Sequence, residues 1–371
     1  MGARYNNNGH DYRDLVIVKS VGPHAESVYR ELRSIVQKET GENPDSLGLD
    51  RESTLIEANV ARFLNGEMDA EIGGNVRKRD VYVVHSFHDP THPEWTLNDT
   101  LVALMAVNNA TRVYGVADSV TDILPYLPYL RADRTDFGRK PITAKLTIRA
   151  IENSGAYEIF TFDMHSRQAQ GFGDGPINNA FLMKFFAERL SGIQDTVIVV
   201  GADVGSVKLT KAMARKLSTL RGEDVYFGLF DKDRPTTEKG YVKSGIFIGD
   251  KEQVKDAVVV VPDDMIDTGG TNEAVTVALR DMGAKRVIST APHALLSRYV
   301  IKETGEWKRA EDRLRACGAE IMTTDSVPRS AEYLNAHSDI IVDVLPVAPL
   351  AAQAIYRMRR GGTIRGYFSE K

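Results

Sequence analysis

The residues best suited to chemistry lie between positions 258 and 271, where a run of valines is followed by acidic, glycine and threonine residues. The segment has the sequence VVVVPDDMIDTGGT, and a helical pattern begins after it. A loop at a helix N-terminus offers backbone N–H groups and the positive end of the helix dipole, which suits a phosphate. Gly269 and Gly270 let the backbone approach a ligand closely, and Thr268 and Thr271 add hydroxyl groups.

The same loop carries three carboxylates, Asp263, Asp264 and Asp267. Carboxylates repel a phosphate unless they serve another part of the ligand, and ribose hydroxyls, bound directly or through a metal, meet that need. The loop also lacks the GxxxxGK[ST] pattern of nucleotide P-loops. We therefore expect the loop at 263–271 to bind a sugar phosphate rather than a nucleoside triphosphate.

Three other predicted strands end in charged residues. His165 follows the strand at 158–162, Asp203 follows 197–200, and Lys232 and Arg234 follow 225–230. Ligands of open α/β sheets bind outside the carboxyl ends of the strands, so these groups converge if the strands share one sheet with the phosphate loop. A magnesium site needs one or two carboxylates besides substrate phosphates, and Asp203 fits that role.

The functional interpretation of these residues is not equally strong for each of them. A single histidine such as His165 is more often a structural hydrogen-bonding group than a metal ligand. Lys232 and Arg234 offer positive charge to a phosphoryl group in transfer, although a charged turn at the surface is the alternative.

The N-terminal half contributes an aromatic and arginine-rich segment, PYLPYLRADRTDFGRKPITAKL, at residues 125–146. Such a loop can hold an adenine ring and its phosphates, because arginine makes bidentate phosphate contacts. An ordinary surface turn is the alternative interpretation.

Strand-like and helix-like segments alternate along the chain, which predicts an α/β fold with parallel sheets. Residues 55–72 instead predict a hairpin around Leu64-Asn65-Gly66. Predicted domains are 14–155, containing the hairpin, and 156–348, containing the phosphate loop, with a C-terminal helix and tail at 349–371. The predicted strands are 15–18, 81–86, 113–117, 158–162, 197–200, 225–230, 257–261, 286–290 and 340–343.

Bulk composition narrows the function classes. The chain has 371 residues with 42% apolar and 26% charged residues, and its net charge of −4 argues against a nucleic-acid binder. No apolar run approaches the roughly 18 residues of a membrane span. A single cysteine, Cys317, excludes an intrachain disulfide, and we see no secretory signal, so a cytoplasmic location is expected.

The set of motifs from about residue 55 to 356 resembles the ribose-phosphate pyrophosphokinase family, also called phosphoribosyl pyrophosphate synthetases. The motifs that carry this resemblance, in chain order, are ARFLNGEMDAEI, PYLPYLRADR, PITAKL, FDMHSRQAQGF, GADVGS, FDKDRP, VPDDMIDTGGT and VAPLAAQAI.

The resemblance implies two tandem phosphoribosyltransferase-type domains and transfer of a diphosphoryl group from Mg-ATP to ribose 5-phosphate, releasing AMP. It also implies a homo-oligomer built from dimers, up to a hexamer, in which the hairpin reaches a neighbouring subunit's site. The implied catalytic residues are Lys232 and Arg234. The implied ATP-binding residues are Phe63, Asn65, Glu67, Arg131, Asp133 and His165. The implied ribose 5-phosphate residues are Asp263, Asp264, Asp267, Thr268, Gly269, Gly270 and Thr271. The implied Mg²⁺ ligands are His165 and Asp203.

Two rival functions stay open at this point. A phosphoribosyltransferase would share the phosphate loop but would not require the hairpin or a second α/β domain. An inactive regulatory paralogue would be marked by loss of Lys232, Arg234, His165 or Asp203, and all four are present. Ala132 stands where the family has glutamine, which leaves the nucleotide specificity open. Residues 1–54 and 301–315 match the family poorly and receive no function.

Overall fold

A computed structural model describes residues 11–135, 138–231 and 245–363, so the predicted catalytic residues Lys232 and Arg234 lie outside the described residues. The described chain forms two compact units. The first contains residues 11–135, 138–180, 326–330 and 346–363, and the second contains residues 181–231, 245–325 and 331–345. None of the helices within these ranges has the length and apolar character that a bilayer crossing requires.

The first unit is built on a seven-stranded sheet in the order β3-β2-β1-β4-β5-β6-β7. Strands β1, β2 and β4 to β7 run parallel, whereas β3 pairs antiparallel with β2 and forms the predicted hairpin. The strands are β1 (Leu15–Lys19), β2 (Leu55–Arg62), β3 (Met68–Ile72), β4 (Asp80–Val84), β5 (Ser119–Leu124), β6 (Glu158–Phe162) and β7 (Ile177–Ala180).

Helices cover the sheet of the first unit. They are α1 (His24–Thr40), α2 (Arg51–Thr54), α3 (Leu97–Asn109) and α4 (Thr143–Ser154), with a π-helical turn at Ala110–Tyr114 and a 3-10 turn at Arg167–Gly171. Thr96 caps α3 through a capping box with Asp99, which explains why the helix begins at Leu97.

The strand predicted at 113–117 is wrong, because a helical turn continues to Tyr114 and the strand of this region is β5. Val113 and Tyr114 are 57% and 79% exposed, and of this run only Ala117 is buried in the core. Apolar periodicity alone did not separate a short strand from a helix end.

The first unit extends to Ala180, beyond the predicted domain boundary at 155/156. Strand β6 pairs with β5 and β7 pairs with β6, so both belong to the first sheet. The C-terminal helix, Ala348–Arg359, is also part of this unit and packs on α1. Its last residue, Arg359, is buried and donates hydrogen bonds to Asp80 and Asp14.

The second unit has its own seven-stranded sheet in the order β10-β9-β8-β11-β13-β17-β18, parallel except for β10. Its strands are β8 (Val197–Gly201), β9 (Phe227–Asp231), β10 (Ile246–Ile248), β11 (Val258–Pro262), β13 (Arg286–Ala291), β17 (Glu320–Thr324) and β18 (Ile341–Leu345). Strands β8 and β11 are buried along their whole length, as expected of central parallel strands.

Two small two-stranded sheets stand beside it. Strand β12 (Met265–Ile266) pairs with β14 (His293–Ala294), and β15 (Tyr299–Val300) pairs with β16 (Trp307–Lys308). The helices of the unit are α5 (Met183–Leu190), α6 (Val207–Arg221), α7 (Gly270–Asp281), α8 (Ala310–Cys317) and α9 (Ala331–Ala336), so the C-terminal helix is α10. Two tandem α/β units with mostly parallel sheets confirm the predicted fold class.

One ionisable side chain is buried in the hydrophobic core of the first unit. Asp122 lies in the middle of β5 with no exposed surface, and its Oδ2 accepts a hydrogen bond from Asn108 Nδ2 at 2.9 Å. Its Oδ1 has no hydrogen-bond partner among the residues that the structure describes. Burial raises the pKa of this carboxyl to about 7, because removal from water disfavours the ionised form.

This shift predicts how Asp122→Asn changes stability. Between pH 4 and pH 7 the unfolded chain releases the Asp122 proton while the folded chain keeps it, so rising pH favours unfolding of the wild type. The stability gain of the Asn variant should therefore be absent near pH 4 and grow to on the order of 4 kcal/mol above pH 7, at about 1.4 kcal/mol per pKa unit. Urea unfolding at each pH measures it.

The exposed residue Asp118 provides the control, since Asp118→Asn removes a charge without relieving burial. An Asp122→Asn gain that is the same at pH 4 and pH 8 would contradict the assignment of a buried, protonated carboxyl.

Candidate active site

The candidate site of the second unit lies at the carboxyl ends of three adjacent parallel strands. In the sheet, β8 stands between β9 and β11 and runs parallel to both, so the strand ends at Gly201, Asp231 and Pro262 lie at the same edge. Three of the four predicted strand ends therefore share one sheet edge, whereas Lys232 and Arg234 themselves lie outside the described residues.

The fourth strand end is elsewhere, because β6 belongs to the first sheet. His165, which follows β6, therefore lies in the first unit, while Asp203 lies in the second. The prediction that all four ends share one sheet assumed that β6 began the second domain, and the pairing of β6 with β5 overturns it.

The phosphate loop has the backbone conformation that its glycines predict. Gly269 is the N-cap of α7 with φ of 72°, in the left-handed region, and α7 begins at Gly270. Gly269 O accepts the N–H of Glu273 at 2.8 Å, which closes the first helical turn. The first N–H groups of a helix have no partner within the helix, so this turn is suited to an anion.

Carboxylates crowd the entrance to that loop. Asp263 Oδ1 accepts the N–H of Asp264 at 2.8 Å, and Asp203 caps the 3-10 turn at Val204–Ser206 by accepting the N–H of Ser206 at 3.0 Å. Burial raises the pKa of the Asp263 carboxyl well above its usual range, and the neighbouring Asp264 and Asp203 carboxylates raise it further. Carboxylates that disfavour one another's ionisation in this way favour a ligand rich in hydroxyl groups or a cation.

In the first unit the structure brings the Arg131 segment and the His165 segment together. The carboxylate of Asp133 accepts a hydrogen bond from Gln168 Nε2 at 3.1 Å. The nearby Ser166 hydroxyl and the Gln168 amide lower the pKa of Asp133. Asp133 therefore fastens the two segments to each other, while Arg131 and His165 are exposed at the surface.

The hairpin tip presents the predicted adenine-contacting residues to solvent. Phe63 is 51% exposed, and the neighbouring Leu64 is fully exposed. Asn65 Nδ2 donates to Glu67 Oε2 at 2.8 Å, and Glu67 N donates to Asn65 Oδ1 at 3.1 Å, which makes the tip a compact turn. Its apolar side chains are left uncovered within this chain.

The donor chemistry of the second unit suits a hard divalent cation. Within residues 11–135, 138–231 and 245–363, no group of three or more His, Cys, Asp or Glu side chains forms a ready metal site. Magnesium does not need one, because it takes most of its ligands from water and substrate phosphates. The clustered carboxylates Asp203, Asp263 and Asp264 provide oxygen donors and a charge that such an ion would offset.

These features define a class of protein: an α/β protein with the phosphoribosyltransferase-type loop of a sugar-phosphate site. Residues 15–155 match the N-terminal domain of ribose phosphate pyrophosphokinase, and residues 178–313 match the phosphoribosyl transferase domain.

Similar proteins agree with these domain matches. A ribose-phosphate pyrophosphokinase of Corynebacterium efficiens is 31% identical over 327 residues, which cover 87% of this chain and 91% of the relative. One of Campylobacter jejuni is 33% identical and covers 85% of this chain and 91% of the relative. The crystal structure of phosphoribosylpyrophosphate synthetase from Mycobacterium smegmatis superposes with a TM-score of 0.73 at 28% identity, covering 94% of this chain and 100% of that chain.

The chain belongs to the ribose-phosphate pyrophosphokinase family, as the sequence resemblance predicted. Its enzyme class is that of the family, a kinase that transfers a diphosphate group.

Sequence reasoning missed one residue beside the loop. Arg313 donates from Nη1 to Thr268 O at 3.0 Å, although the charged segment that contains it had received no function. No motif marks it, and only the charge pattern of α8 was visible in the sequence.

The left-handed backbone of Gly269 generates a prediction with a matched control. A Cβ at Gly269 would meet Leu314 Cγ at 3.1 Å, whereas a Cβ at Gly222, with φ of 69°, would meet nothing within 4 Å. Both Ala variants should lose about 1–2 kcal/mol of stability from backbone strain. Only Gly269→Ala should also weaken binding of a sugar phosphate, by about tenfold, because its loop must shift.

Urea unfolding and calorimetric titration with ribose 5-phosphate measure the two effects. Equal affinity of the Gly269→Ala and Gly222→Ala proteins for the sugar phosphate would show that the loop does not bind it.

Proposed function

We propose that this protein transfers the diphosphoryl group of ATP to the 1-hydroxyl of ribose 5-phosphate, giving 5-phosphoribosyl 1-diphosphate and AMP. In this reaction the anomeric oxygen attacks the β-phosphorus, the bond from that phosphorus to the α-phosphate oxygen breaks, and AMP leaves. Membership of the family supports the proposal.

The observation that carries the sugar-phosphate half is the loop at the N-terminus of α7. Its left-handed Gly269 and the start of α7 suit a 5-phosphate, and we assign Thr268, Gly270 and Thr271 to the same group. The ribose hydroxyls are assigned to Asp263, Asp264 and Asp267, since carboxylates accept hydrogen bonds from hydroxyls. A phosphate ligand that carries no hydroxyl groups would only be repelled by these carboxylates.

The nucleotide half is assigned to the first unit. Arg131 is exposed on a segment that Asp133 fastens to the His165 segment, so a guanidinium and an imidazole stand on one braced surface. Arginine binds phosphate oxygens bidentately, which supports contact with the triphosphate. Phe63, Asn65 and Glu67 of the hairpin tip are assigned to adenine.

We propose Mg²⁺ as the cofactor, with Asp203 and His165 as its protein ligands. When bound, the ion would neutralise charge on the triphosphate. The chain's own share of catalysis is positioning and charge: Lys232 and Arg234, by their match to the family motif, stabilise the transferring group. We assign no general base.

The proposal includes a cytoplasmic, homo-oligomeric protein built from dimers. A single cysteine suits a reducing compartment. The half-exposed Phe63 and fully exposed Leu64 support a hairpin tip that is covered by a second copy of the chain.

The product nucleotide tests the proposal directly. Incubation with Mg-ATP and ribose 5-phosphate should release AMP, in an amount equal to the sugar diphosphate formed. Chromatographic separation of AMP, ADP and ATP measures it. ADP would indicate an ordinary kinase, and absence of turnover would indicate an inactive regulatory paralogue.

Omission of either substrate is the control, and a separate mixture of 5-phosphoribosyl 1-diphosphate and a free nucleobase, in which a nucleotide and pyrophosphate would form, tests the rival transferase. Product formation only in that last mixture would indicate a phosphoribosyltransferase.

Subunit complementation tests whether the hairpin serves a neighbouring subunit. A Phe63→Ala/Glu67→Ala chain and a Lys232→Ala chain should each be nearly inactive, because each site would lack adenine contacts or transition-state charge. Loss of one such charge contact costs about 100–1,000-fold in rate. In a heterodimer both lesions fall in one site and the other site is intact, so co-expression in equal amounts should restore roughly a quarter of wild-type turnover.

Co-expression of each variant with itself is the control. If purified heterodimers remain inactive, the hairpin acts within its own chain.

A further inference from the structure

A short hairpin and the helix after it stand against the phosphate loop of the second unit. The hairpin pairs Tyr299 with Lys308 and Val300 with Trp307, and α8 follows at Ala310. Leu314 of α8 lies within 3.1 Å of the Cβ position of Gly269, so α8 backs the loop directly. This is the segment to which no motif gave a function.

Arg313 of α8 joins three elements at this point. Its Nη1 donates to Thr268 O at 3.0 Å. Its Cζ lies 3.6 Å from the centre of the Tyr299 ring, and its Nε lies 3.2 Å from Glu273 Oε2. The Arg313 side chain is 18% exposed, so the guanidinium is largely enclosed by the loop, the hairpin and the first turn of α7.

The hydrogen bond from Arg313 to the Thr268 carbonyl fixes the orientation of the peptide between Thr268 and Gly269, and that orientation matters for binding a phosphate. A trans peptide is planar, so its C=O and N–H point to opposite sides. When Arg313 holds the Thr268 carbonyl on the α8 side, the N–H of Gly269 must point to the other side of the loop. A glycine at left-handed φ allows this peptide to rotate more freely than other residues would, so a fixed partner has a large effect on its orientation.

The ion pair with Glu273 means that Arg313 affects the loop through its geometry more than through its positive charge. Because Glu273 neutralises the guanidinium, Arg313 adds little net positive charge to a phosphate on the far side of the loop. Tyr299 holds the guanidinium by stacking, an interaction that arginine makes better than lysine. The arrangement therefore orients the loop rather than attracting the ligand.

We propose that Arg313 is a positioning residue for the 5-phosphate of the sugar substrate, and that Tyr299 and Glu273 hold it in place. It orients the peptide between Thr268 and Gly269 so that the Gly269 N–H faces the phosphate. The inference rests on the proposed function in one respect, the identity of the sugar phosphate. It links the hairpin at 299–308 to substrate affinity.

Substitution of Arg313 by Met or Lys tests this. Loss of a hydrogen bond from a charged group is worth about tenfold or more in affinity, so Arg313→Met should raise KM and Kd for ribose 5-phosphate by roughly tenfold. KM for ATP and kcat should stay within about twofold of wild type. Arg313→Lys, which keeps the charge but not the planar fork, and Tyr299→Leu, which removes the stacked ring, should each give a smaller rise in the same direction.

Arg315→Gln is the matched control, since Arg315 lies on the same helix but pairs with Asp339 and Asp312. It should leave both KM values unchanged. Steady-state kinetics, calorimetric titration with ribose 5-phosphate and thermal unfolding are measured on the full-length protein.

The inference is overturned if Arg313→Met and Arg313→Lys both bind ribose 5-phosphate as tightly as the wild type. It is also overturned if ribose 5-phosphate and ATP weaken in equal proportion together with thermal stability, which marks a structural role only. Failure of the proposed function looks different, because the wild type itself would then release no AMP.

Discussion

The constraint on which the second unit depends is that a phosphate must be bound where the surrounding side chains are negative. Asp263, Asp264 and Asp203 crowd the strand ends, and burial together with its neighbours raises the pKa of Asp263. The loop itself contributes no lysine or arginine side chain. Within the loop, attraction for the proposed phosphate therefore comes from backbone N–H groups at the start of α7, and these act only over short distances and in the correct direction. Orientation of the loop backbone takes the place of side-chain charge, which explains the left-handed Gly269 and the helix packed behind it.

The parallel sheets serve this constraint by holding the loop rigidly. Strands β8 and β11 are buried along their whole length, and their carboxyl ends open onto the same edge. Asn272, in the first turn of α7, is buried and donates to Ser289 Oγ at 3.1 Å, which fastens the helix start to β13. A loop fixed by the sheet below it and by α8 beside it keeps its N–H groups in position without a bound ligand, so less conformational entropy is lost on binding.

Central buried strands and the glycine-rich loop could be predicted because their signals are local. The valine run of β11 and the Thr-Gly-Gly-Thr sequence specify strand, turn and helix start within a few residues.

Errors arose where the outcome depended on distant pairing. Strand β6 has the same apolar pattern in either sheet, and only its pairing with β5 assigns it to the first unit. The first two residues of the apolar run at 113–117 end a π-helical turn, and their exposed side chains give no periodic signal of that. Arg313 was missed for a related reason, since its contact with Thr268 joins residues 45 positions apart.

The two units differ in the charge of the surfaces that hold their predicted binding residues. This difference supports the proposal that each unit binds a different substrate. In the first unit, the exposed Arg131 and His165 stand on segments joined by Asp133, whose carboxylate accepts a hydrogen bond from Gln168. That surface presents donors and suits the triphosphate of a nucleotide, which carries several negative charges. Among the described residues of the phosphate loop at 263–271, the charged side chains are carboxylates and positive potential comes from the N-terminus of α7, which suits one phosphate flanked by hydroxyls. A triphosphate at the second edge would bring its additional charges next to Asp263 and Asp264, and a sugar phosphate at the first would leave its hydroxyls without carboxylate partners. The charges of the described residues therefore support the proposed assignment of ATP to the first unit and ribose 5-phosphate to the second.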